Sequence, residues 1–189
     1  VTLVCVRAPR LRTVPSYERT YGPDVVELAA LAGLRMDPWQ GDVLDDFCAV
    51  SVDDPRRWNA LECVEIVPRQ NGKGGTLEAY VLGCLFLFDD ELVMYSAHRF
   101  ATAREMFLRI KELITGCDEF RRRVRRVSEA HGKEGIELLS SDEVRITATE
   151  YATGAPITCG DTVTNHLSRV NYLVEFRNLA FQRRPQACH

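Results

Sequence analysis

The sequence predicts an α/β fold in which helices flank a mainly parallel sheet. Segments with strand and helix periodicity alternate along the chain, and 46% of its 189 residues are hydrophobic. One predicted strand is followed at once by a Gly-Lys loop and a helix, a common unit of such folds. Because parallel strands need crossover connections that are usually helical, this alternation favours a parallel sheet. The chain is long enough for one globular domain with its own core.

The first third of the chain is predicted to contain an extended arm, two helices and a strand. Residues 1–23 are rich in Pro, Arg and Thr, which is typical of an arm without regular structure. Asp24 is expected to cap a short helix that Gly33 ends, and Pro38 opens a second helix that runs to about residue 50. Residues 61–67 partly alternate and end in β-branched side chains, which favours a strand.

The remaining elements follow from periodicity and are less regular toward the C-terminus. We predict helices over residues 76–88, 101–114 and 118–130, and strands over residues 91–96, 135–139 and 143–149. Together these elements form a domain over residues 24–150, and residues 151–189 are predicted to be divergent and poorly ordered. The pattern contains no internal repeat.

Composition and charge exclude several classes of protein. The net charge of -3 argues against a passive DNA-coating protein with a broad basic surface, although a small DNA-gripping patch remains compatible with it. The apolar stretch at residues 80–88 is too short to span a bilayer, and the N-terminus has no signal-peptide pattern, so we expect a cytoplasmic protein. The seven cysteines include no C-x-x-C pair and predict neither a zinc site nor a disulfide framework.

The loop between the strand at 61–67 and the next helix has the features of a phosphate-binding loop. Phosphates are bound by converging backbone N–H groups, a helix N-terminus and a cation, and Gly72 with Lys73 lies where all three would meet. Compared with G-x-x-x-x-G-K-[ST], Val67 replaces the first glycine and Gly74 replaces the Ser or Thr that holds Mg²⁺. A simple surface turn is the alternative interpretation.

Five segments, in order, resemble the large terminase subunits of bacteriophages. The phosphate loop of that family is often Pro-Arg-Gln-Asn-Gly-Lys, which matches residues 68–73. The other resembling segments are residues 8–22 (the N-terminal arm), 36–40 (the adenine-recognising element), 78–83 (the helix after the loop) and 95–107 (the next strand and helix). The resemblance implies an ATPase domain of the P-loop NTPase type, with a sheet that is incomplete in this chain.

The resemblance also implies which residues bind the nucleotide. Lys73 would contact the β- and γ-phosphates, and Arg69 would act as the catalytic or sensing arginine that stabilises charge on the γ-phosphate. Gly72 would let the backbone approach the phosphates. The rest of the nucleotide site would be formed by Gln70, Asn71 and Gly74 in the loop and by Trp39 and Gln40 at the adenine.

Other candidate residues have two interpretations each. His98 and Thr102 could face the loop or serve the core and a helix cap. Arg69 could instead be structural or face DNA, and the basic run over residues 121–126 could contact DNA phosphates or form a solvated surface. The sequence Asp89-Asp90-Glu91 resembles an acidic Mg²⁺-binding pair, but it lies too soon after Lys73 to reach the phosphates.

The acidic pair that the family places after a later strand is missing from the expected position. Thr164, Asn165 and His166 stand where Asp-Glu is expected, so the residues that would hold Mg²⁺ are unknown. Our hypothesis is that the chain departs from the family pattern near residue 150, without the C-terminal nuclease. Hydrolysis by this chain alone should then be very slow.

The resemblance implies ATP and Mg²⁺ as cofactors and a role in packaging double-stranded DNA into a procapsid. In the intact family this work involves a terminase small subunit, a portal protein and self-assembly into a ring, in the cytoplasm of the host cell. A second hypothesis is a catalytically inactive remnant that binds nucleotide or partner subunits without turnover. A third is a P-loop helicase or kinase, although a kinase lid is not recognisable.

Overall fold

The regular elements of the chain are five helices and eight short strands within the part that the structure describes. The computed structural model describes residues 9–54, 57–68, 70–88, 93–97, 99–130, 134–139, 148–150 and 174–177. The helices are α1 Gly22–Leu31, α2 Pro38–Phe47, α3 Lys73–Phe86, α4 Phe100–Gly116 and α5 Asp118–Arg123. The strands are β1 Arg19–Thr20, β2 Ala49–Val50, β3 Glu62–Glu65, β4 Tyr95–Ala97, β5 Val124–Ser128, β6 Gly135–Leu138, β7 Ala148–Glu150 and β8 Val174–Arg177. This mixture confirms the α/β class.

Helix α1 lies close to its predicted position but begins earlier. It starts at Gly22, because Pro23 is accepted in the first turn of a helix, so Asp24 lies inside that turn and is not the cap. Gly33 follows the helix with a φ of +83°, the left-handed conformation that ends many helices. The stop signal in the sequence was therefore more accurate than the start signal.

Helix α2 connects the N-terminal arm to the rest of the fold. It begins at Pro38, as predicted, and ends at Phe47 because β2 directly after it pairs antiparallel with β1. The arm contacts this helix, since Arg12 Nε donates a hydrogen bond to Asp46 Oδ2 at 2.7 Å. The arm boundary at residue 23 stays a prediction.

Helix α3 lies at the centre of the hydrophobic core. Every residue from Thr76 to Phe86 is buried. A helix that is apolar on all sides is typical of a core position, and α1, α2 and α4 all pack against it. The helix predicted over residues 76–88 is confirmed, but it begins at Lys73. Lys73 therefore occupies the first helical position after the candidate loop.

Helix α4 covers one side of α3 with an amphipathic face. Its buried side chains recur at spacings of three and four residues: Ala103, Met106, Phe107, Ile110 and Ile114. This spacing is the helical period, so the helix predicted over residues 101–114 is confirmed and extends to Gly116. The opposite face of the helix is exposed and carries charged side chains.

The basic helix predicted over residues 118–130 is wrong beyond Arg123. The chain forms only the short α5 and then turns into β5, which pairs antiparallel with β6. Val124 and Val127 favour a strand, and the pairing brings β5 alongside β6, where Ile136 and Leu138 are buried. This long-range pairing outweighs the local helical pattern.

The described strands form four separate two-stranded sheets. Only β4 and β7 are parallel within this described set, whereas β1–β2, β3–β8 and β5–β6 are antiparallel. The predicted P-loop sheet, mainly parallel and flanked by helices, is therefore not confirmed. The strand predicted over residues 91–96 is present as β4, and the one over residues 135–139 as β6. Most of residues 151–189 lies outside the described residues.

No helix in the described part of the chain has the length and apolar content that a membrane span requires. The cysteines that the structure describes as free thiols are Cys48, Cys63, Cys84 and Cys117.

Candidate nucleotide-binding site

The loop between β3 and α3 turns sharply at two residues. Gln70 has a φ of +62° and Gly72 a φ of +83°, both in the left-handed region. Glycine adopts this conformation without steric cost, whereas a residue with a side chain rarely does. Gly72 is also the residue that immediately precedes α3. The left-handed turn at Gly72 therefore sets the direction in which the helix begins.

The start of α3 presents backbone N–H groups without a side-chain cap. The first N–H groups of any helix lack partners within the helix, and they carry the positive end of its dipole. The Gly75 N–H donates to the Gly72 carbonyl at 2.9 Å, but no side chain caps the helix at Gly72. Because this end is uncapped and begins with Lys73, it has the elements that bind phosphate at a helix N-terminus.

Gln40 holds the loop against α2. Its Oε1 accepts a hydrogen bond from the Asp37 N–H at 2.7 Å, and its Nε2 donates to the Gly72 carbonyl at 2.8 Å. The side chain is only 5% exposed. These bonds occupy the amide oxygen and one of the two amide hydrogens, so Gln40 fixes the geometry of the loop. The predicted bond from Gln40 to an adenine edge stays a prediction.

Trp39 and Met36 lie beside the same glycine-rich segment. A Cβ placed on Gly72 would lie 3.6 Å from Trp39 Cζ2, and one placed on Gly75 would lie 3.7 Å from Met36 Cε. Trp39 is half-buried, and the Cζ2 edge of its ring is the part nearest to Gly72 in this contact. The structure thus brings the predicted adenine element and the predicted phosphate loop together, while contact with a base stays a prediction.

Glu65 is a buried acid beside the loop and was not among the site residues expected from the sequence. It lies at the end of β3, is 6% exposed, and neither carboxylate oxygen has a hydrogen-bond partner in the described structure. Burial raises the pKa of Glu65 to about 7, and the positive charge of Lys73 opposes this rise. The sequence contained a signal for this residue. Cys63 and Glu65 occupy alternate positions of one strand and therefore face the same side, and an acid that faces the interior is unusual.

The structure describes some of the other predicted site residues but not all of them. Arg69 and His98 lie outside the described residues, so their roles stay predictions. Asn71 is exposed in the loop next to the left-handed Gln70, and Thr102 is half-buried in the first turn of α4. The acidic run Asp89-Asp90-Glu91 and the segment Thr164-Asn165-His166 also lie outside the described residues.

The described loop has no side-chain hydroxyl at the position that holds Mg²⁺ in the form G-x-x-x-x-G-K-[ST]. Gly74 has no side-chain oxygen, and the Thr76 hydroxyl is fully buried in α3 without a hydrogen-bond partner there. Among the side chains that the structure describes, no group of three or more His, Cys, Asp or Glu could hold a metal ion. Mg²⁺ is bound mainly by carboxylates, phosphates and water, and the loop supplies no such carboxylate.

The basic run over residues 121–126 is divided between a helix and a strand. Arg121 contacts Asp118 at 2.7 Å, and both side chains are exposed. Arg123 has a structural role, because its NH1 donates to the Phe86 carbonyl at 3.0 Å and its guanidinium lies over the Phe86 ring. Arg125 and Arg126 are exposed on β5. Contact between this run and DNA stays a prediction.

We expect Glu65→Gln to raise the free energy of unfolding at pH 8 by about 1–3 kcal/mol. The pKa of Glu65 in the folded state is about 7, above its ordinary value, so the folded chain binds this proton more tightly than the unfolded chain. The stability contribution of Glu65 therefore falls as the pH rises from the ordinary carboxyl pKa to about 7. Urea unfolding at pH 5 and pH 8 measures this difference, and it should be smaller in the variant.

Glu62→Gln is the matched control for this measurement, because Glu62 is exposed on the same strand. A change in pH dependence as large as that of Glu65→Gln would show that burial of Glu65 is not the cause. An equal pH dependence in the parent and in Glu65→Gln would contradict the burial of an ionisable Glu65.

Comparison with solved structures finds a likeness to the crystal structure of the HK97 bacteriophage large terminase. The sequence identity is 16% and the TM-score is 0.48, over 72% of this chain and 29% of that chain. This chain therefore spans less than a third of the length of that terminase. No protein-family model matches the chain, and a search of curated proteins gives no match.

Proposed function

We propose that this chain is the ATP-binding motor part of a phage terminase large subunit. In this proposal ATP binds at the loop over residues 68–75, and its hydrolysis is coupled to packaging of double-stranded DNA into a procapsid. Mg²⁺ is the ion that accompanies ATP. A terminase small subunit, a portal protein and further copies of the chain in a ring are the proposed protein partners.

The observation that carries the proposal is the junction between Gly72 and Lys73. A left-handed glycine is followed directly by a lysine at the first position of a buried, uncapped helix. Such a junction combines close backbone approach, a positive helix end and a cation, which are the requirements for binding phosphate. A simple surface turn would not need the buried Gln40 to hold the Gly72 carbonyl.

The packaging role is supported by the order of the sequence segments that resemble terminases. An aromatic-Gln pair precedes the loop, and the Tyr95–Ala97 strand and α4 follow it, as they do in that family. The hydrogen bond from Gln40 to the Gly72 carbonyl joins the first of these segments to the loop in space. DNA and protein partners are inferred from the family resemblance.

An inactive remnant that binds nucleotide without turnover is the second candidate. It is favoured by Gly74 in place of a hydroxyl residue and by the burial of the Thr76 hydroxyl. If the chain supplies no protein ligand for Mg²⁺ and no acidic group for the attacking water, binding would persist while hydrolysis would be lost.

ATP binding and turnover by the purified chain, measured with and without Mg²⁺ and double-stranded DNA, test the two candidates. Turnover that depends on Mg²⁺ and rises with DNA is the result expected for the motor. Binding of ATP without turnover under every condition would favour the remnant. No binding at millimolar ATP would contradict both.

A further inference from the structure

A second positive side chain lies beside the start of α3. Arg109 projects from α4, and its Nε lies 2.8 Å from Glu78 Oε1, while its NH2 donates to Glu78 Oε2 at 3.3 Å. Two of the three guanidinium nitrogens therefore face one carboxylate. The third, NH1, lies 3.8 Å from the position that a Cβ on Gly74 would occupy. Arg109 thus faces Glu78 with one edge and the candidate loop with the other.

Glu78 is buried and Arg109 is exposed. This difference is expected if Glu78 holds the guanidinium in place and Arg109 binds a ligand. The Glu78 side chain is 2% exposed, whereas the Arg109 side chain is 53% exposed. A buried carboxylate is costly unless it is paired, so Glu78 retains the guanidinium and restricts its orientation. Because Nε and NH2 are held in a planar fork, the direction of NH1 is fixed as well.

Gly74 carries no side chain toward Arg109 NH1. It is the residue after Lys73, at the position where related phosphate loops have the hydroxyl that serves the β- and γ-phosphates through Mg²⁺. A side chain at this position would lie within 3.8 Å of both Glu78 Oε1 and Arg109 NH1. The Arg109 guanidinium therefore lies next to the position of the missing hydroxyl. Both positions would face the β- and γ-phosphates of a bound nucleotide.

We propose that Arg109 is a second phosphate-binding cation of this loop, oriented by Glu78 toward the terminal phosphate of ATP. The proposal rests on the proposed nucleotide-binding function and assigns Arg109 a part in selecting ATP over ADP. Lys73 approaches the phosphates from the start of α3, and Arg109 approaches from α4. Glu78 is a positioning residue, since it acts through Arg109.

Affinities of Arg109→Gln for ATP and ADP, measured by calorimetry, test the proposal. Loss of a charge-assisted bond to the terminal phosphate should weaken ATP binding about 10-fold and ADP binding less than about 3-fold. Arg121→Gln is the control, because it removes one arginine that is exposed on α5 and paired only on the surface. It should leave both affinities unchanged.

A second variant allows the proposal to be tested even if Arg109→Gln does not fold. Arg109→Gln leaves Glu78 buried without its cation, and this can unfold the chain. The double variant Glu78→Gln/Arg109→Gln avoids the problem, because it pairs two neutral amides. If the single variant unfolds, the nucleotide affinities of the double variant decide the result. Glu78→Gln alone keeps the guanidinium but loosens its orientation, and a smaller loss of ATP selectivity is expected.

The ratio of ATP to ADP affinity separates the possible results. A ratio that falls in Arg109→Gln or in the double variant supports the proposal, because a purely structural arginine would weaken both nucleotides alike. An unchanged ratio in a folded variant overturns the role of Arg109 and leaves nucleotide binding by Lys73 intact. Absence of binding of both nucleotides to the parent chain would overturn the proposed function together with this inference.

Discussion

Lys73→Ala is expected to lower the affinity of the chain for ATP by about 100-fold or more. Lys73 follows the left-handed Gly72 and occupies the first position of the uncapped α3. In the proposed site Lys73 would contact two phosphates, and hydrogen bonds to charged groups contribute about 1.5–3 kcal/mol each. Calorimetric titration with ATP measures the loss, and circular dichroism checks that the helices are retained.

Lys111→Ala is the matched control for Lys73→Ala. It also removes one positive charge, but Lys111 lies on α4 and pairs with Glu129. We expect its ATP affinity to stay within about 2-fold of the parent, since long-range attraction is screened by salt. Equal losses in the two variants would indicate general charge attraction and would contradict a specific role for Lys73.

Gly22→Ala is expected to lower the free energy of unfolding by about 2–4 kcal/mol and the midpoint of thermal unfolding by roughly 5–15 °C. A Cβ on Gly22 would lie 2.6 Å from both the Cα and the backbone nitrogen of Asp45 in α2. Backbone atoms cannot rotate away as a side chain can, so α1 and α2 must separate. Thermal unfolding followed by circular dichroism measures the effect.

Gly116→Ala is the control for this substitution. Gly116 is the last residue of α4, and a Cβ placed there meets nothing within 4 Å. Alanine favours a helix over glycine, so we expect no loss of stability and a gain of at most about 1 kcal/mol. A Gly22→Ala variant as stable as Gly116→Ala would show that the two helices are not in close contact at Gly22.

Helix positions were predictable because their signals are local. Pro38 marked the start of α2, Gly33 marked the end of α1, and the spacing of apolar residues marked α4. Each of these signals acts within one or two helical turns, so neighbouring sequence suffices to detect it. The Gly-Lys pair was likewise recognisable as a loop between a strand and a helix.

Strand pairing and side-chain partners were not predictable in the same way. β5 was predicted as helix because its alternative, pairing with β6, depends on residues further along the chain. The parallel sheet was inferred from element order, which does not specify which strand neighbours which. Gln40 was selected for adenine, but its hydrogen bond to the Gly72 carbonyl depends on how α2 packs against α3.

Arg109 and Glu78 illustrate the same limitation at the candidate site. In sequence, Glu78 is an acid within an apolar helix and Arg109 is a charge on the polar side of another helix. Only the packing of α4 on α3 places the guanidinium next to Gly74. Arg109, which we propose as part of this site, is therefore distant in sequence from the Gly-Lys motif, although Glu78 lies on the helix that the motif begins.

The most direct test of the account is a titration of the chain with ATP, and separately with inorganic tripolyphosphate, followed by amide chemical shifts. In the proposed site, phosphate binds at the backbone N–H groups that begin α3. We expect both ligands to shift the amide signals of Gly72, Lys73, Gly74 and Gly75 most strongly, with the glycine amides moving together as one site fills. Saturating binding that leaves these amides unshifted, or shifts only residues elsewhere, would contradict the claim that this loop binds nucleotide phosphates.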